Sequence, residues 1–145
     1  SASHKAGIGI KLEACRSLPW VYADFKQISQ VLLNVIQNSE EMMNSSGLIT
    51  IALKQDMDFV QIQVVDNGPG IPANNIDKIF SKFFTTKAHG LGLGLAVCKQ
   101  IINAHNGTIT IKNRNRGGTE VRIRLPIKPL AIISNRNVQD ETHEA

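Results

Sequence analysis

The chain has 145 residues, of which 42% are hydrophobic and 19% charged, and its net charge is +4. This length suits one domain with an ordinary core, and the composition excludes a wholly disordered chain. No apolar run is long enough to cross a bilayer and no signal-peptide pattern opens the chain, which favours a cytoplasmic location.

Two features of composition invite a functional reading. Cys15 and Cys98 lie far apart among apolar or small neighbours, and we expect both to be reduced thiols in or near the core. The positive charge is concentrated late in the chain, at Lys112, Arg114, Arg116, Arg122, Arg124 and Lys128. Since the last two arginines alternate with apolar residues and no aromatic residue interleaves these charges, the pattern favours the solvated face of a strand over a nucleic-acid surface.

In chain order, the first elements predicted are a strand, a long helix and a hairpin. The alternating Ile8, Ile10 and Leu12 indicate the strand, and Asp24 is placed to cap the helix that follows. Apolar residues recur at helical spacing over 25–43, and a polar break at 44–47 ends that pattern. The hairpin consists of alternating segments at 48–54 and 59–65 with a loop over 55–58.

The second half predicts two helices and a closing hairpin. The elements are a short helical turn at 75–80, a loop at 83–90, a helix from Leu91 or Leu93 to His105 ended by Asn106-Gly107, and strands at 108–112 and 119–125 turned at 116–118. The polar residues 130–145 are expected to form a poorly ordered tail after a domain over 1–129. The fold class predicted is an α/β (α+β) two-layer sandwich, in which helices cover one face of a mixed, mainly antiparallel sheet.

Polar residues line one side of the first long helix. Asn34, Asn38 and Glu41 fall at i, i+4 and i+7, beside the apolar face. They fit boundary positions that bond to neighbouring strands. They also fit a metal site, since amide oxygens can reach Mg²⁺, which keeps water and phosphate oxygens as its other ligands.

Asp66 ends a predicted strand and enters a glycine-rich turn with Gly68 and Gly70. The carboxylate could simply bond to its own loop. However, glycines let the backbone bend tightly and let a flat ring lie against it. A carboxylate at the floor of such a slot accepts a hydrogen bond from the exocyclic amine of adenine, whereas guanine presents a carbonyl there.

Gly90, Gly92 and Gly94 precede the second long helix. Their exposed N–H groups, together with the helix N-terminus, suit an anion, although a glycine hinge would have the same composition. Lys87 could add charge near a terminal phosphate, or could be a solvated loop lysine.

In this order the motifs resemble the ATP-binding catalytic domain of sensor histidine kinases, in the superfamily that includes gyrase, the ninety-kilodalton heat-shock chaperone and the mismatch-repair ATPases. The matching segments are QVLLNVIQNSEEM at 30–42 for the N box, DNGPGI at 66–71 for the G1 box, FSKFFTTK at 80–87 for the F box, GLGLGL at 90–95 for the G2 box and GGT at 117–119 for the closing element. The resemblance covers about residues 8–127 and implies a Bergerat-type ATP-binding fold. The N box suits a nitrogen-regulator-like or sporulation-kinase-like branch.

The resemblance implies a role for each motif. Asp66 would bond the adenine amine, Asn38 would hold Mg²⁺ with Asn34 assisting, and the G2 glycines would cradle the phosphates under a closing lid. The nucleotide-binding set is then Asn38, Asp66, Gly68, Gly70, Ile71, Phe83, Lys87, Gly90, Leu91, Gly92, Leu93, Gly94 and Thr119. The catalytic set is Asn34, Asn38 and Lys87.

Position 34 bears on the reaction. Gyrase-like and chaperone-like relatives carry a water-activating glutamate there, and Asn34 is a poor base, which favours transfer to another acceptor over hydrolysis. None of the four histidines carries the phosphoacceptor pattern. We therefore expect a two-component kinase domain that uses ATP and Mg²⁺ to phosphorylate a histidine on a separate helical dimerisation domain, with a response regulator downstream.

The expected parent is a homodimer that a membrane could anchor, and the expected state of this chain is a monomer. Two alternatives stay open at this point. One is a serine kinase of the anti-sigma-factor type, and the other is a nucleotide-sensing interaction module without transfer.

Overall fold

The structure is a computed structural model that describes residues 7–44, 46–81 and 94–127. Its elements are β1 (Ile8–Ala14), α1 (Phe25–Met43), β2 (Gly47–Asp56), β3 (Phe59–Asp66), α2 (Ala73–Ile76), α3 (Gly94–Ala104), β4 (Thr108–Asn113) and β5 (Thr119–Pro126). Among these residues no helix is both long and apolar enough to span a membrane. The predictions for the loop at 83–90, for Leu91 and Leu93 and for the tail at 130–145 lie outside the described residues.

The five strands form one mixed sheet in the order β1-β2-β3-β5-β4. The pair β1–β2 is parallel and the pairs β2–β3, β3–β5 and β4–β5 are antiparallel. Helix α1 packs against α3, and buried residues of both helices share one core with the inward residues of the sheet. The predicted two-layer sandwich is therefore confirmed.

Helix α1 begins and ends where the sequence predicts. Oδ1 of Asp24 accepts a hydrogen bond from the Gln27 backbone N at 3.0 Å, which supplies one of the acceptors that the first turn lacks. Val31 and Val35 on its inner face are fully buried. The helix stops at Asn44, whose φ of 69° and ψ of −85° lie outside the helical region.

Helix α3 ends with two backbone hydrogen bonds that differ from the regular helical pattern. The Gly107 N bonds to the Ile102 O and the Asn106 N to the Asn103 O, both at 3.0 Å, which is the Schellman pattern. The left-handed residue is Asn106, with φ of 58°. Asn106-Gly107 therefore ends the helix as predicted, with the asparagine rather than the glycine in the reversed conformation.

Three local predictions are wrong. The β2–β3 ladder continues to the pair Asp56–Phe59, so the hairpin loop is the two residues Met57 and Asp58 rather than four. Met57 takes φ of 53°, which makes the tight turn possible. The short helix begins two residues earlier than predicted and occupies Ala73–Ile76, directly after the extended Pro72, and residues 77–80 continue it as a turn.

The third error concerns Cys15, which is exposed, whereas Cys98 is buried as expected. Residue 15 follows the end of β1, a strand of which only Ile8 is buried. Ile10 and Leu12 share the face of β1 that carries Ile8, yet they are 41% and 66% exposed. The described helices therefore leave the end of this edge strand uncovered.

The last hairpin confirms the solvated-face interpretation of the basic residues. Arg122 and Lys112 contact Glu120 at 2.8 Å and 3.3 Å, and Arg124 contacts Asp56 at 3.5 Å. The inward residues Val121, Ile123 and Leu125 are buried. The charge of this strand thus lies on the outer face of the sheet, and much of it is paired within the domain.

Candidate functional site

Asp66 lies at the end of β3 with only 1% of its surface exposed, and its carboxylate is held by three donors. Oδ1 accepts from the backbone N of Gly68 at 2.9 Å and from the backbone N of Thr119 at 3.2 Å. Oδ2 accepts from the hydroxyl of Thr119. A carboxylate has about four acceptor positions. The arrangement thus fixes the orientation of Asp66 and leaves capacity for a further donor.

The glycines around Asp66 allow close approach of the β4–β5 turn. Gly118 has φ of 86°, and a Cβ atom there would stand 1.9 Å from the Asp66 backbone O. Gly70 has φ of 83°, and its Cβ would stand 2.9 Å from Asn113 Oδ1. A side chain fits neither place, so Gly70 and Gly118 are required where the turn after β3 meets the turn between β4 and β5.

Two asparagines that the sequence analysis did not single out fix this turn. Asn113 Oδ1 accepts from the Ile71 N, and Asn113 Nδ2 donates to the Ile71 O, both at 2.7 Å. Oδ1 of Asn67 accepts from the Leu48 N at 2.8 Å, which ties the turn to the start of β2. The only signal available in the sequence was the general preference of asparagine for such side-chain-to-backbone bonds.

The other described residues of the predicted site lie on α1 and α3. Asn34 Nδ2 donates to the backbone O of Gly94 at 3.3 Å, and its Oδ1 accepts from Gln30 Nε2 at 3.1 Å. Asn38 lies one turn later and is half-buried. Its side chain makes no hydrogen bond within the described part of the chain. Gly94 is exposed, and a Cβ there would meet no atom within 4 Å.

The structure thus brings several predicted site residues together and is silent on others. Asp66, Gly68, Gly70, Ile71 and Thr119 meet at one corner of the sheet, and Asn34 contacts Gly94 across the two helices. Outside the described residues lie the rest of the predicted site: Phe83, Lys87, Gly90, Leu91, Gly92 and Leu93.

Cys98 lies beside Asn34 in the core and is fully buried. Its thiol donates to the backbone O of Val31 at 3.7 Å. Burial raises the pKa of this thiol to about 11, against the smaller opposing effect of the Asn34 side chain. A thiol that stays protonated at neutral pH is a poor nucleophile, so Cys98 serves packing between α1 and α3.

Chemically, the corner offers a fixed, buried acceptor at the floor of a glycine-lined turn. Such a group selects a ligand that brings an N–H donor on a flat edge. The amide oxygens of α1 are hard donors of the kind that Mg²⁺ takes, and Mg²⁺ is commonly held by one or two protein ligands plus phosphate oxygens. The residues present therefore fit a nucleotide with its metal.

Comparisons with known proteins agree with this geometry. The family described as histidine kinase-, DNA gyrase B-, and HSP90-like ATPase matches residues 23–129. The chain is 38% identical over 120 residues to the sensor histidine kinase ZraS of Escherichia coli K12, covering 83% of this chain and 26% of ZraS. It is 47% identical over 100 residues to sporulation kinase D of Bacillus subtilis 168, covering 69% of this chain and 20% of that kinase.

Among solved structures, the catalytic domain of the histidine kinase ThkA superposes with a TM-score of 0.74 at 38% identity, covering 82% of this chain and 78% of that one. ThkA in complex with the response regulator TrrA gives a TM-score of 0.71 at 36% identity, covering 84% of this chain and 35% of that one. The chain spans about a quarter of ZraS and a fifth of sporulation kinase D. Because the match extends over most of this chain and most of a solved catalytic domain, the chain belongs to the histidine kinase-, DNA gyrase B- and HSP90-like ATPase family, as the ATP-binding catalytic domain of a sensor histidine kinase.

Proposed function

We propose that this domain binds Mg²⁺-ATP with its adenine on Asp66 and transfers the γ-phosphate to a histidine on a separate helical dimerisation domain of its parent protein. The observation that supports adenine binding is the buried Asp66 carboxylate, which is oriented by Gly68 and Thr119. The family match and the histidine kinases among its relatives support the reaction.

Adenine recognition follows from the chemistry of that carboxylate. The N6 amine of adenine is a donor, which the remaining acceptor capacity of Asp66 would satisfy. Guanine presents a carbonyl oxygen at the same ring position, which would face the carboxylate without a proton between them. When a site hydrogen-bonds its ligand, an analogue that cannot make those bonds leaves buried polar groups unpaired. The site therefore binds such an analogue far more weakly.

The metal would lie at the α1 wall. Asn38 is the proposed ligand, because the half-buried amide of Asn38 has no partner within the described residues. Asn34 would assist it. When bound, Mg²⁺ would neutralise charge on the phosphate oxygens. The side chain of Asn34 already holds the first residue of α3, so its part in transfer includes positioning that helix.

Phosphoryl transfer of this kind depends mainly on positioning and charge neutralisation. Asn34 supplies no carboxylate base for water, which favours a protein acceptor over hydrolysis. Lys87 and the glycines Gly90 and Gly92, together with Phe83, Leu91 and Leu93, are proposed to complete the phosphate end of the site. Gly94 would present the start of α3 to the phosphates.

The proposed partners are the histidine-bearing dimerisation domain and, downstream, a response regulator. ThkA has been solved with a response regulator, and the match to that kinase covers 84% of this chain and 35% of the ThkA chain. We further propose that the domain works in the cytoplasm as a unit over residues 1–129, that the isolated chain is monomeric and that the parent is a homodimer.

The sharpest test exchanges Asp66 for its isosteric amide. Asp66→Asn keeps an oxygen for the backbone N–H groups of Gly68 and Thr119 but turns the other group into a donor. We expect ATP affinity to fall by about 100-fold or more and GTP to lose far less, or to gain, because the amide can donate to the guanine carbonyl. An unchanged preference for ATP in calorimetry would refute the adenine assignment.

Transfer is tested separately, with labelled ATP and a supplied helical hairpin bearing the acceptor histidine. Acid-labile phosphate on the hairpin is expected, and it should be lost in Asn38→Ala while nucleotide binding without Mg²⁺ is kept. Acid-stable phosphoserine would favour the serine-kinase alternative. Binding of ATP with no transfer would favour the nucleotide-sensing module.

A further inference from the structure

Asn113, the last residue of β4, bonds to both polar backbone groups of Ile71 with its single side chain. Its Oδ1 accepts from the Ile71 N and its Nδ2 donates to the Ile71 O, each at 2.7 Å. These are short, well-paired amide hydrogen bonds. The Asn113 side chain thus pairs with the Ile71 backbone as a neighbouring strand would, at the point where the glycine turn after β3 ends.

The turn is fixed at its other end by the same hairpin. Thr119 is the strand partner of Asn113 across β4 and β5, and Thr119 binds Asp66 through both its backbone N and its hydroxyl. A closed circuit therefore runs from Asp66 through the turn to Ile71, to Asn113, to Thr119 and back. Within this circuit the separation between Asp66 and Ile71 is set by the side-chain hydrogen bonds of Asn113 and Asp66 and by the paired β4–β5 backbone that joins them.

Gly70 shows how closely the circuit is packed. Its φ is 83°, and a Cβ there would come within 2.9 Å of Asn113 Oδ1 and 3.7 Å of the Gly118 O. Ile71 itself is buried, with 5% of its surface exposed, so its backbone cannot shift without moving a core side chain. The position of the Gly70–Ile71 peptide therefore depends directly on Asn113.

We propose that Asn113 is a positioning residue that sets the gap between the Asp66 carboxylate and the Gly70–Ile71 backbone, and thereby sets the domain's selectivity for adenine. This inference rests on the proposed adenine site at Asp66. A flat ring whose amine reaches Asp66 must lie against the glycine turn, so the width of that gap decides which purine is accepted. Asn113 acts through the turn and need not touch the nucleotide.

The residue type is specific. Asparagine offers one acceptor and two donors on a short side chain, which matches the N–H and C=O of Ile71 at once. Aspartate of the same size could accept from the Ile71 N, but its second oxygen would face the Ile71 O at the distance where Nδ2 now donates. Alanine would leave both groups of Ile71 to water.

The test compares Asn113→Asp and Asn113→Ala with Asn115→Ala, a change at an exposed asparagine of the same hairpin. Affinities for ATP and GTP are measured by calorimetry at a temperature where each variant is folded, and thermal unfolding is followed without nucleotide. We expect ATP affinity to fall about tenfold in both position-113 variants and the ATP-to-GTP affinity ratio to fall with it, while Asn115→Ala changes neither.

A merely structural role would lower the unfolding temperature and leave the ATP-to-GTP ratio unchanged, and that result would overturn the inference. Should Asn113→Ala fail to fold, Asn113→Ser, whose hydroxyl cannot make both bonds, carries the same expectation. Asp66→Asn separates the two proposals. If it loses ATP preference while the Asn113 variants keep theirs, only the positioning role is wrong. If it keeps ATP preference, the adenine site itself is wrong.

Discussion

Asn34 Nδ2 in α1 donates a hydrogen bond to the backbone oxygen of Gly94, the first residue of α3, at 3.3 Å. The two helices pack against one another, and this bond joins them at the end of α3 that faces the proposed phosphate site. The Asn34 oxygen is held in turn by Gln30 at 3.1 Å. Asn34 therefore has a structural task, which is to hold the start of α3.

We expect Asn34→Ala to lower the free energy of unfolding by about 1 kcal/mol and to weaken Mg²⁺-ATP binding several-fold, because the start of α3 loses its tether. Urea unfolding and calorimetry measure the two effects. Gln30→Ala is the matched control, since it removes a neighbour of Asn34 but leaves the Gly94 bond. Equal losses of nucleotide affinity in both variants would show that the tether has no role.

A second prediction uses two adjacent glycines with the same backbone conformation and different surroundings. Gly117 and Gly118 have φ of 95° and 86°, but only a Cβ at Gly118 would collide, 1.9 Å from the Asp66 O. Gly117→Ala should cost about 1–3 kcal/mol from backbone strain alone. Gly118→Ala should cost about 1–3 kcal/mol more through overpacking, and should also displace Asp66 and weaken ATP binding.

Urea denaturation of both variants, followed by ATP titration of the folded fraction, checks this pair. The contrast matters more than either value. Loss of ATP affinity in Gly117→Ala equal to that in Gly118→Ala would mean that the hairpin turn as a whole, and not its contact with Asp66, controls the nucleotide site.

The features that the sequence predicts correctly are those encoded locally. Asp24 caps α1 through a bond to a residue three positions away, and the apolar period of the helix lies within its own residues. The strand alternation and the Gly117-Gly118 turn are equally local. Such patterns determine both the elements and the ordered motifs from which the family can be identified.

The features that the sequence does not predict depend on distant partners. Asn113 and Ile71 are 42 positions apart, and Asn34 and Gly94 are 60 apart. His105 shows the same limit. The sequence places this residue only at the end of the second long helix, yet its Nε2 accepts from the Asp24 N at 3.0 Å, 81 positions away. Pairings of this kind follow from the packing of α1 against α3, or from the contact of the β4–β5 hairpin with the turn after β3, and no local pattern reveals either.

Glu120 provides a prediction for pH. Burial acts to raise the pKa of this carboxyl, but hydrogen bonds from Arg122, Gln63 and Lys112 together outweigh it, so the pKa lies below its ordinary value. A group with a lowered folded-state pKa stabilises the protein above the unfolded value, about 4.3 for glutamate. Its contribution is lost as the pH falls through the folded-state pKa.

Glu120→Gln should therefore lower the free energy of unfolding by about 1–2 kcal/mol at pH 7, since two cationic partners lose their acceptor charge. The difference from the parent chain should shrink as the pH falls through the lowered pKa of Glu120, where the parent carboxyl is itself neutralised. Urea unfolding between pH 7 and about 3.5 measures it. Glu13→Gln, at an exposed ion pair with Lys11, is the control and should change little.

The two cysteines should differ sharply in reactivity in the folded protein. Cys15 is exposed, whereas Cys98 is fully buried and burial raises its thiol pKa to about 11, so very little of it is thiolate at pH 8. A disulfide reagent at pH 8 should label Cys15 quickly and Cys98 only when the chain opens. In Cys15→Ser the fast phase should vanish, and both thiols of the parent chain should react in guanidinium. Fast labelling of Cys98 in folded Cys15→Ser would contradict the packing of α3 against Val31, on which the tether between Asn34 and Gly94 also depends.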